Sequence, residues 1–415
     1  MIDDTRLLAA CRSLLPETAS FLEGLVMFRS LPGYEGPAME WAHERFSVLG
    51  DTCEKIAVPD DIIYDPEYQF RLDDRSYGGR PNLRVSLAGD GSGRSVIFNA
   101  HMDVVPPSTG QACPFSPRIR DGRMYGRGTC DDKGQIAVMW TMLRAMRELG
   151  IRPRGNVILH IVIEEETGGN GTLAMVRHGD RADCCINLDG GGGIFSSVRG
   201  AVWFTGTVYG RAGHSGSAGS TVSALKMAIE AMRIIEEYHD ELLAGTHHDD
   251  PLFSPIPNPM PVTFGELSAG DWPAMAPQKA VFKGVFGLLT TPKEEVMREM
   301  AKRVRTRGHA WLRDNFELTF EYRHDLSRID PGEPFVGVLK ESFAAMGVDY
   351  DVKGFPASAD TCFYTNIAGI PAVMTGMGQV ETAHTADEHI VLDDLAVESA
   401  VMLRFIREWC GFEGV

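Results

Sequence analysis

The sequence predicts an α/β protein with more than one domain. Three apolar runs, at residues 96–100, 155–163 and 184–188, are typical of strands that are covered on both faces of a sheet. A helical pattern at residues 135–144 separates the first two runs. Because 415 residues are too many for one hydrophobic core, we expect at least two domains.

The composition disfavours several classes of protein. With 44% hydrophobic and 23% charged residues, the chain resembles globular proteins and not disordered ones. A net charge of −17 disfavours nucleic acid and anionic membranes as partners, because both attract basic surfaces. Asp3 and Asp4 stand where a signal peptide carries positive charge, and no apolar run approaches the ~20 residues of a membrane span. We therefore expect a cytoplasmic protein, and the absence of a CxxC pair among its eight cysteines predicts reduced thiols.

The N-terminal part of the chain is predicted to be helical, and strands follow it. Residues 4–50 have helical spacing on both sides of the turn at Pro32-Gly33. Short β-rich runs at residues 82–87 and 95–100 flank a glycine-rich turn at residues 89–93. This arrangement predicts a β-hairpin formed by the two runs.

The second of these runs leads into His101 and Asp103, a pair suited to metal binding. Residues two apart share a face of an extended segment, so His101 can direct one ring nitrogen at a metal while Asp103 binds the other nitrogen. A single histidine at a strand end is, however, more often an ordinary hydrogen-bonded residue. The metal hypothesis therefore needs support from the rest of the chain.

Further acids stand at the ends of the predicted elements. Asp131 lies in a glycine-rich turn before the helical pattern, where its carboxylate can cap the helix or bridge two cations. The run Glu164 to Glu166 ends the next buried strand, where it is either held by a cation or solvated. Asp189 follows the third strand, and strand ends are where open α/β sheets place their sites.

From residue 196 the pattern changes to that of a smaller α+β domain. An alternating strand leads to His214, which lies in a glycine-rich turn before a long helix. The elements predicted for this domain are strands at 201–210, 280–289 and 316–322 and helices at 222–243 and 294–305. The chain then returns to the first domain with a helix at 335–346, a strand at 371–374 and a helix at 394–409. The predicted domains are therefore 1–195 with 328–415, and 196–327.

The order of these motifs resembles that of the M20 metallopeptidases, a family of dinuclear zinc aminoacylases and carboxypeptidases. The motifs are His-x-Asp at 101–103, Gly-Arg-Gly-x-x-Asp-x-Lys-Gly at 126–134, Glu-Glu-x-x-Gly at 165–169, an acid at 189, Gly-x-x-Gly-His-Ser-Gly at 210–216 and a histidine at 384. The resemblance covers almost the whole chain. It implies a zinc-exopeptidase-like, mixed-sheet α/β catalytic domain with an inserted α+β lid, through which two subunits form a homodimer.

The resemblance also implies roles for individual residues. The implied metal ligands are His101, Asp131 as the bridging carboxylate, Glu166, Asp189 and His384. Such a set suits two divalent cations per subunit, zinc first, with manganese and cobalt also accommodated. Glu165 falls at the position of the general base. His214 falls at the position of a histidine that reaches a neighbouring active site and stabilises the oxyanion.

The lid departs from the family pattern where relatives bind the free carboxylate of a substrate. Many of them use an asparagine before Val-Ile-Pro and an arginine in a later strand, and Ala274 and Gly287 occupy those two places here. Either Arg323, Lys279 or Lys283 replaces the arginine, or the substrate presents something other than a C-terminal carboxylate.

A second departure is in the loop at residues 355–361. It resembles a glycine-rich turn that lies beside the metals in the family, although alanines and a proline replace the glycines. Ser358 and Asp360 are its candidates for substrate binding.

We therefore predict a metal-dependent hydrolase that cleaves an amide C–N bond of a small-molecule substrate. A water shared by two cations ~3.5–4 Å apart can be hydroxide near neutral pH, and Glu165 could pass its proton to the leaving nitrogen. Hydrolytic deamination of an aromatic amine is the alternative reaction, suggested by Trp272, Met275 and Phe286 near the missing clamp. A non-catalytic, metal-dependent scaffold is an alternative of another class, and the intact base and ligand set argue against it.

Overall fold

A computed structural model describes residues 2–69, 76–246 and 250–413 of the chain, which form two compact units. The first unit comprises Met1–Ser197, Arg328–Lys353 and Ala359–Val415, and the second comprises Val198–Ser327 and Gly354–Ser358. The segment 354–358 groups with the second unit, although the sequence assigns it to the first domain. Its backbone is bound there, because the Gly354 N–H donates to the Leu252 carbonyl and Arg199 Nε donates to the Pro356 carbonyl.

In the part of the chain that the structure describes, three α-helices precede the first strand, and strands and helices are interspersed after it. The α-helices are α1 (Asp4–Ser13), α2 (Leu15–Val26), α3 (Gly36–Phe46), α4 (Lys133–Leu149), α5 (Asn170–His178), α6 (Ala224–Thr246), α7 (Lys293–Arg307), α8 (Pro334–Ala345) and α9 (Leu392–Trp409). The strands are β1 (Thr52–Ile56), β2 (Asn82–Leu87), β3 (Val96–His101), β4 (Arg118–Arg120), β5 (Arg123–Tyr125), β6 (Arg152–Pro153), β7 (Val157–Val162), β8 (Cys184–Asn187), β9 (Gly191–Val198), β10 (Gly200–Tyr209), β11 (Gly213–His214), β12 (Val262–Ala269), β13 (Met275–Ala276), β14 (Lys279–Leu288), β15 (Phe316–His324), β16 (Ser327–Arg328), β17 (Val352–Phe355), β18 (Ala372–Met377), β19 (His389–Val391) and β20 (Phe412–Glu413). Within the described ranges, none of the helices has the length and apolar character that crossing a membrane requires.

A mixed sheet forms the centre of the first unit, with strand order β1-β2-β7-β3-β8-β18-β9. The central strands β7, β3, β8 and β18 run parallel, whereas β1 and β2 are antiparallel to their neighbours. The predicted hairpin of residues 82–87 and 95–100 is wrong, because β7 lies between β2 and β3. Every residue of β3 is buried, and such a strand belongs in the interior of a sheet with parallel partners on both edges.

The helices of the first unit pack around this sheet and share its core. α4 packs on β3, α1 and α2 pack with α4 and α9, and α8 packs on α9. The rings of Phe98 on β3 and Phe405 on α9 meet edge to face, with their centroids 6.4 Å apart. Gly150 follows the last residue of α4, and its positive φ of 64° is the usual glycine conformation after a helix. These contacts hold the beginning of α4 beside the end of β3, where the candidate site lies.

The second unit has its own antiparallel sheet, with strand order β12-β14-β10-β15. α6 and α7 pack on it and bury an apolar core that includes Phe282 and Phe286. The sequence predicts β10, β14, β15 and both helices but not β12. β12 is an edge strand with no fully buried residue, and a register shift between Phe264 and Glu266 interrupts its alternation of apolar and polar residues.

Candidate metal centre

The ends of three parallel strands form the floor of the candidate site. β3 ends at His101, and β8 ends at Asn187, two residues before Asp189. After β7 the chain turns at Glu164, which has a left-handed φ of 62°, into a short 3₁₀ turn at Glu165–Thr167. Because β3, β7 and β8 run in the same direction, these residues meet at one edge of the sheet.

Asp131, which lies just before α4, stands between two histidines. His101 Nε2 is 3.0 Å from Asp131 Oδ1 and 3.8 Å from Asp189 Oδ1. His384 Nε2 is 3.0 Å from Asp131 Oδ2 and 3.2 Å from Glu166 Oε1. The two oxygens of one carboxylate therefore face two different imidazoles, and each imidazole has a second carboxylate beside it.

This set of side chains fits divalent cations. Among the described residues, ligand atoms within 4.8 Å of one another occur in two groups, His101 with Asp131 and Glu166, and His101 with Asp132 and Asp189. Imidazole and carboxylate ligands together suit zinc and also manganese or cobalt.

The buried charges at the site also favour bound cations. Burial, and then repulsion from Asp131, raises the pKa of Glu166 to about 7. Burial also raises the pKa of Asp189, against the opposing effect of the nearby His101 ring. Burial alone would raise the pKa of Asp131 too, but hydrogen bonds from the two histidines lower it overall. Several carboxylates are thus held close together out of water, an arrangement that a cation would stabilise.

Asp103 binds backbone amides as well as the imidazole. Its carboxylate oxygens accept hydrogen bonds from the backbone N–H groups of Glu165 (3.1 Å) and Glu166 (3.0 Å). The sequence predicts that this carboxylate binds the second nitrogen of His101. The nearer acceptor for His101 Nδ1 is the backbone carbonyl of Asp103, at 3.0 Å, and the carboxylate lies 3.5 Å away. Asp103 therefore joins the end of β3 to the turn that carries both glutamates.

Glu165 and Asp360 lie close enough to influence each other's charge. Burial raises the pKa of Glu165 well above its usual value, and repulsion from Asp189 and Asp360 adds to the effect. Asp360 is buried, and Thr172 Oγ1 donates a hydrogen bond to its Oδ2 at 2.5 Å. Burial raises the pKa of Asp360 to about 7. Of the two candidates in the 355–361 loop, Asp360 thus belongs to the first unit and to this site.

The remaining candidates, His214, Arg323 and Ser358, belong to the second unit. His214 is exposed, and its Nδ1 accepts a hydrogen bond from the Gly216 N–H at 3.1 Å. The proton of the neutral ring is therefore on Nε2, which can donate. Pairing of β11 with β13 places His214 opposite Met275. Ser358 Oγ is hydrogen bonded to the Tyr322 hydroxyl at 2.8 Å.

Gly287 occupies a place where no arginine fits. A Cβ atom at this position would lie 2.7 Å from Met260 Cα and 2.9 Å from Arg199 Nη1. Gly287 is paired with Ala201, whereas Arg323 is paired with Val202. Because these neighbouring residues of β10 face opposite sides of the sheet, Arg323 does not lie on the same face as position 287.

The two lysines suggested as replacements for the arginine, and the apolar residues near the missing clamp, also belong to the second unit. Lys283 forms an ion pair with Glu266, at 3.1 Å, and Lys279 is exposed at the start of β14. Trp272 and Met275 are exposed, but Phe286 is fully buried in the core of the second unit. Phe286 therefore cannot line a binding surface, which removes part of the reason for the deaminase alternative.

The sequence does not predict two buried ion-pair networks that lie around the site in the described part of the chain. Arg127 is paired with Glu388, and Arg80 is paired with both Glu35 and Glu164. The Gly-Arg-Gly motif could have drawn attention to Arg127, and the run of three acids to Glu164. Nothing in the local sequence distinguishes Glu388 or Arg80 from an ordinary exposed residue.

The chain is similar in sequence to a described protein family and to individual known proteins. The sequence model described as peptidase family M20/M25/M40 matches residues 97–408. The chain is 27% identical over 363 residues to N-formyl-4-amino-5-aminomethyl-2-methylpyrimidine deformylase of Bacillus subtilis (strain 168), covering 80% of this chain and 84% of that protein. It is 27% identical over 422 residues to succinyl-diaminopimelate desuccinylase of Alkalilimnicola ehrlichii, covering 96% of this chain and 100% of that protein.

A solved structure is similar in fold. It is that of the M20 family metallo-carboxypeptidase Sso-CP2 from Sulfolobus solfataricus, with a TM-score of 0.77 and 16% identity, and the match covers 95% of this chain and 99% of that one. This likeness confirms the predicted fold class.

Proposed function

Because the chain belongs to peptidase family M20/M25/M40, we propose that it is a metal-dependent hydrolase that cleaves the amide C–N bond of a small-molecule substrate. The observation that carries this proposal is the position of Asp131, with one carboxylate oxygen 3.0 Å from each of two histidines. His101, Asp131, Glu166, Asp189 and His384 would hold two divalent cations, which we propose to be zinc, with manganese and cobalt as substitutes. When bound, such cations polarise a carbonyl group and lower the pKa of water.

Glu165 is proposed to move the proton in this reaction. Water adds to the amide carbonyl carbon, the C–N bond breaks, and the proton lost by the water has to reach the leaving nitrogen. The Glu165 side chain makes no hydrogen bond within the described part of the chain, so it is available to the water and the substrate. Its raised pKa suits a base that accepts a proton and then releases it to a basic amine. Asp103 holds the backbone amides of Glu165 and Glu166 and so orients both side chains.

We further propose that residues 196–327 form a lid through which two subunits associate, and that His214 acts in the partner's active site. Support comes from the exposed ring of His214, whose Nε2 can donate a hydrogen bond to the oxyanion. The acidic net charge supports a cytoplasmic location.

The substrate is proposed to be an N-acyl amine. The names of the two curated relatives describe the removal of a formyl or a succinyl group, and neither name describes deamination of an aromatic ring. Because Gly287 leaves no room for an arginine, the substrate need not carry a free carboxylate at that place. The amine released by the named deformylase is an aminomethylpyrimidine, which agrees with this view.

Glu165→Gln tests the reaction class. We expect unchanged zinc binding and a loss of turnover of about 10²–10⁴-fold, because glutamine cannot take up the proton. The matched control is Glu398→Gln, a buried glutamate on α9, which should keep full activity. Turnover of the Glu165→Gln variant within about tenfold of the wild type would refute the general-base role.

The substrate class is tested by amine release from matched pairs. N-formyl, N-acetyl and N-succinyl amino acids are each compared with their carboxyl-amidated twins, and aromatic amines are included. Equal rates within pairs support an N-acyl amine without a required carboxylate. Reaction of the free acids alone would show that another cation, such as Arg323, binds the carboxylate.

A further inference from the structure

His384 stands on a loop that has little packing of its own. Every residue from Glu381 to Asp387 is exposed or half-buried, and the His384 side chain is 52% exposed. The backbone of His384 has a left-handed φ of 59°, which is uncommon for a residue with a side chain. Glu388, in contrast, is only 1% exposed. The position of the His384 ring therefore depends on how the loop is anchored at its ends.

Glu388 anchors the loop through Arg127, which is itself 1% exposed. Arg127 Nη1 donates a hydrogen bond to Glu388 Oε2, and Glu388 Oε1 accepts one from the Gly128 N–H at 2.7 Å. Gly128 is three residues before Asp131. The ion pair thus joins the loop of one proposed ligand to the loop of another.

The same guanidinium reaches the backbone of His384 through Ser108. Arg127 Nη2 donates to Ser108 Oγ at 2.8 Å and to the Pro106 carbonyl at 3.3 Å. Ser108 Oγ in turn donates to the His384 carbonyl at 2.7 Å. The loop is therefore held at His384 and at Glu388 by one buried cation.

Pairing of β5 with β19 brings the two loops together but does not reach His384. β5 and β19 have three residues each, and His389 is paired with Tyr125. The Gly126 N–H also donates to the Glu388 carbonyl at 3.2 Å. His384 lies five residues before β19, so contacts of the loop itself must set the place of its ring.

We propose that Arg127, Glu388 and Ser108 are positioning residues that hold His384 against Asp131 and so set the affinity of one of the two proposed metal ions. This inference rests on the proposed metal centre. Removal of a group that orients a metal ligand without binding the metal itself typically lowers metal affinity by about 10–100-fold. The loss should affect the ion bound by His384 and spare the ion bound by His101 and Asp189.

Ser108→Ala is the mildest variant and has a close control. Ser342 Oγ also accepts from an arginine, Arg404 Nη1 at 3.1 Å, and donates to a carbonyl, that of Val338 at 2.7 Å. Ser342→Ala therefore removes the same hydrogen bonds from α8, away from the His384 loop. Glu388→Gln is a stronger variant because it leaves the buried Arg127 charge uncompensated, and Glu398→Gln is its control.

Zinc binding is measured by competition with a chelator of known affinity, using zinc alone. We expect two ions per wild-type chain, and about tenfold weaker binding of one ion in Ser108→Ala with the other unchanged. Glu388→Gln should weaken the same ion by about 100-fold, and both controls should bind as the wild type does. Wild-type affinity at both sites in Ser108→Ala would overturn the inference and leave the proposed function intact.

Hydrogen exchange of the metal-free protein gives a second readout. Amides of residues 380–388 should exchange faster in Ser108→Ala than in the wild type or in Ser342→Ala. If the wild type binds no zinc, manganese or cobalt, the proposed function fails. Unchanged exchange of this loop in Ser108→Ala would refute the positioning role in either case. This readout needs neither bound metal nor a folded Glu388→Gln variant.

Discussion

At the scale of single residues, the hydrogen-bond partners of the clustered carboxylates distinguish their roles. Asp131 faces two imidazoles, whereas Asp103 faces two backbone amides. Glu165 has neither kind of partner among the described residues. A carboxylate bound to histidines is suited to hold cations, one bound to amides is suited to fix a turn, and one without partners is suited to exchange a proton.

Asp103→Asn tests the turn-fixing role. In asparagine an NH2 group, which only donates, replaces one of the two carboxylate oxygens, so one of the Glu165 and Glu166 amides loses its acceptor. We expect zinc affinity to fall by about 10–100-fold, measured by chelator competition. The matched control is Asp183→Asn, because Asp183 also accepts a hydrogen bond from a backbone amide, that of Ser95 at 2.7 Å. Equal zinc affinity in the Asp103→Asn variant and the wild type would contradict this role.

At the scale of elements, buried polar contacts connect strand ends to helices. Arg80 binds Glu164 at the end of β7 and Glu35 at the start of α3. Glu398 on α9 accepts a hydrogen bond from the Met377 N–H at the end of β18. The Gln135 amide on α4, in the orientation that satisfies both groups, donates to Glu398 at 2.8 Å. Glu398 thus joins two helices and a strand through one buried carboxylate.

This contact predicts a dependence of stability on pH. Burial raises the pKa of Glu398 to about 8, whereas an unfolded glutamate has a pKa of about 4.3. The folded protein therefore keeps a proton that the unfolded chain releases, so this group stabilises the fold below about pH 4.3 and the contribution is lost as pH rises through about 8.

Glu398→Gln should remove that contribution. We expect chemical denaturation of the wild type to show a loss of up to ~1.4 kcal/mol per pH unit between pH 5 and 8 from this group, and a flatter profile in the variant. Glu44→Gln, at an exposed position, serves as the control and should keep the wild-type profile. Parallel profiles for wild type and Glu398→Gln would show that the buried group keeps an ordinary pKa.

At the scale of the whole molecule, the second unit carries surfaces suited to association with another chain. β12 is the edge strand of its sheet, and Leu267 on this strand is 44% exposed. An edge strand offers unpaired backbone groups to a partner. Ile229 on α6 is also exposed, at 53%. These features support the proposed homodimer, in which His214 of each subunit serves the other.

Mixing two inactive variants tests this shared active site. A subunit with His214→Ala keeps Glu165, and a partner with Glu165→Gln keeps His214. If His214 acts across the dimer, a mixed dimer has one complete centre. Random reassociation of equal amounts should restore activity to about a quarter of that of the wild type, since half of the dimers are mixed and each has one complete centre of two.

The controls are each variant reassociated with itself, which should stay inactive. Formation of mixed dimers is checked with differently tagged subunits. If mixed dimers form but have no activity, His214 does not act across the interface.

Much of the fold, and the types of residue at the candidate site, could be predicted from the sequence, because both have local patterns. The apolar runs of β3, β7 and β8 and the helical pattern of α4 are visible within ten to twenty residues of chain. The acids at their ends are visible for the same reason. A parallel arrangement of these strands then brings His101, Glu166 and Asp189 to one edge without further information.

Only the tertiary structure decided the partners of these residues. β7 inserts between β2 and β3, Asp103 turns its carboxylate toward two amides, and Glu388 is paired with Arg127. Each of these contacts joins residues that are far apart in the sequence, 261 positions in the case of Arg127 and Glu388. No local pattern encodes such a pairing, because its free energy depends on burial that exists only once the whole domain has packed.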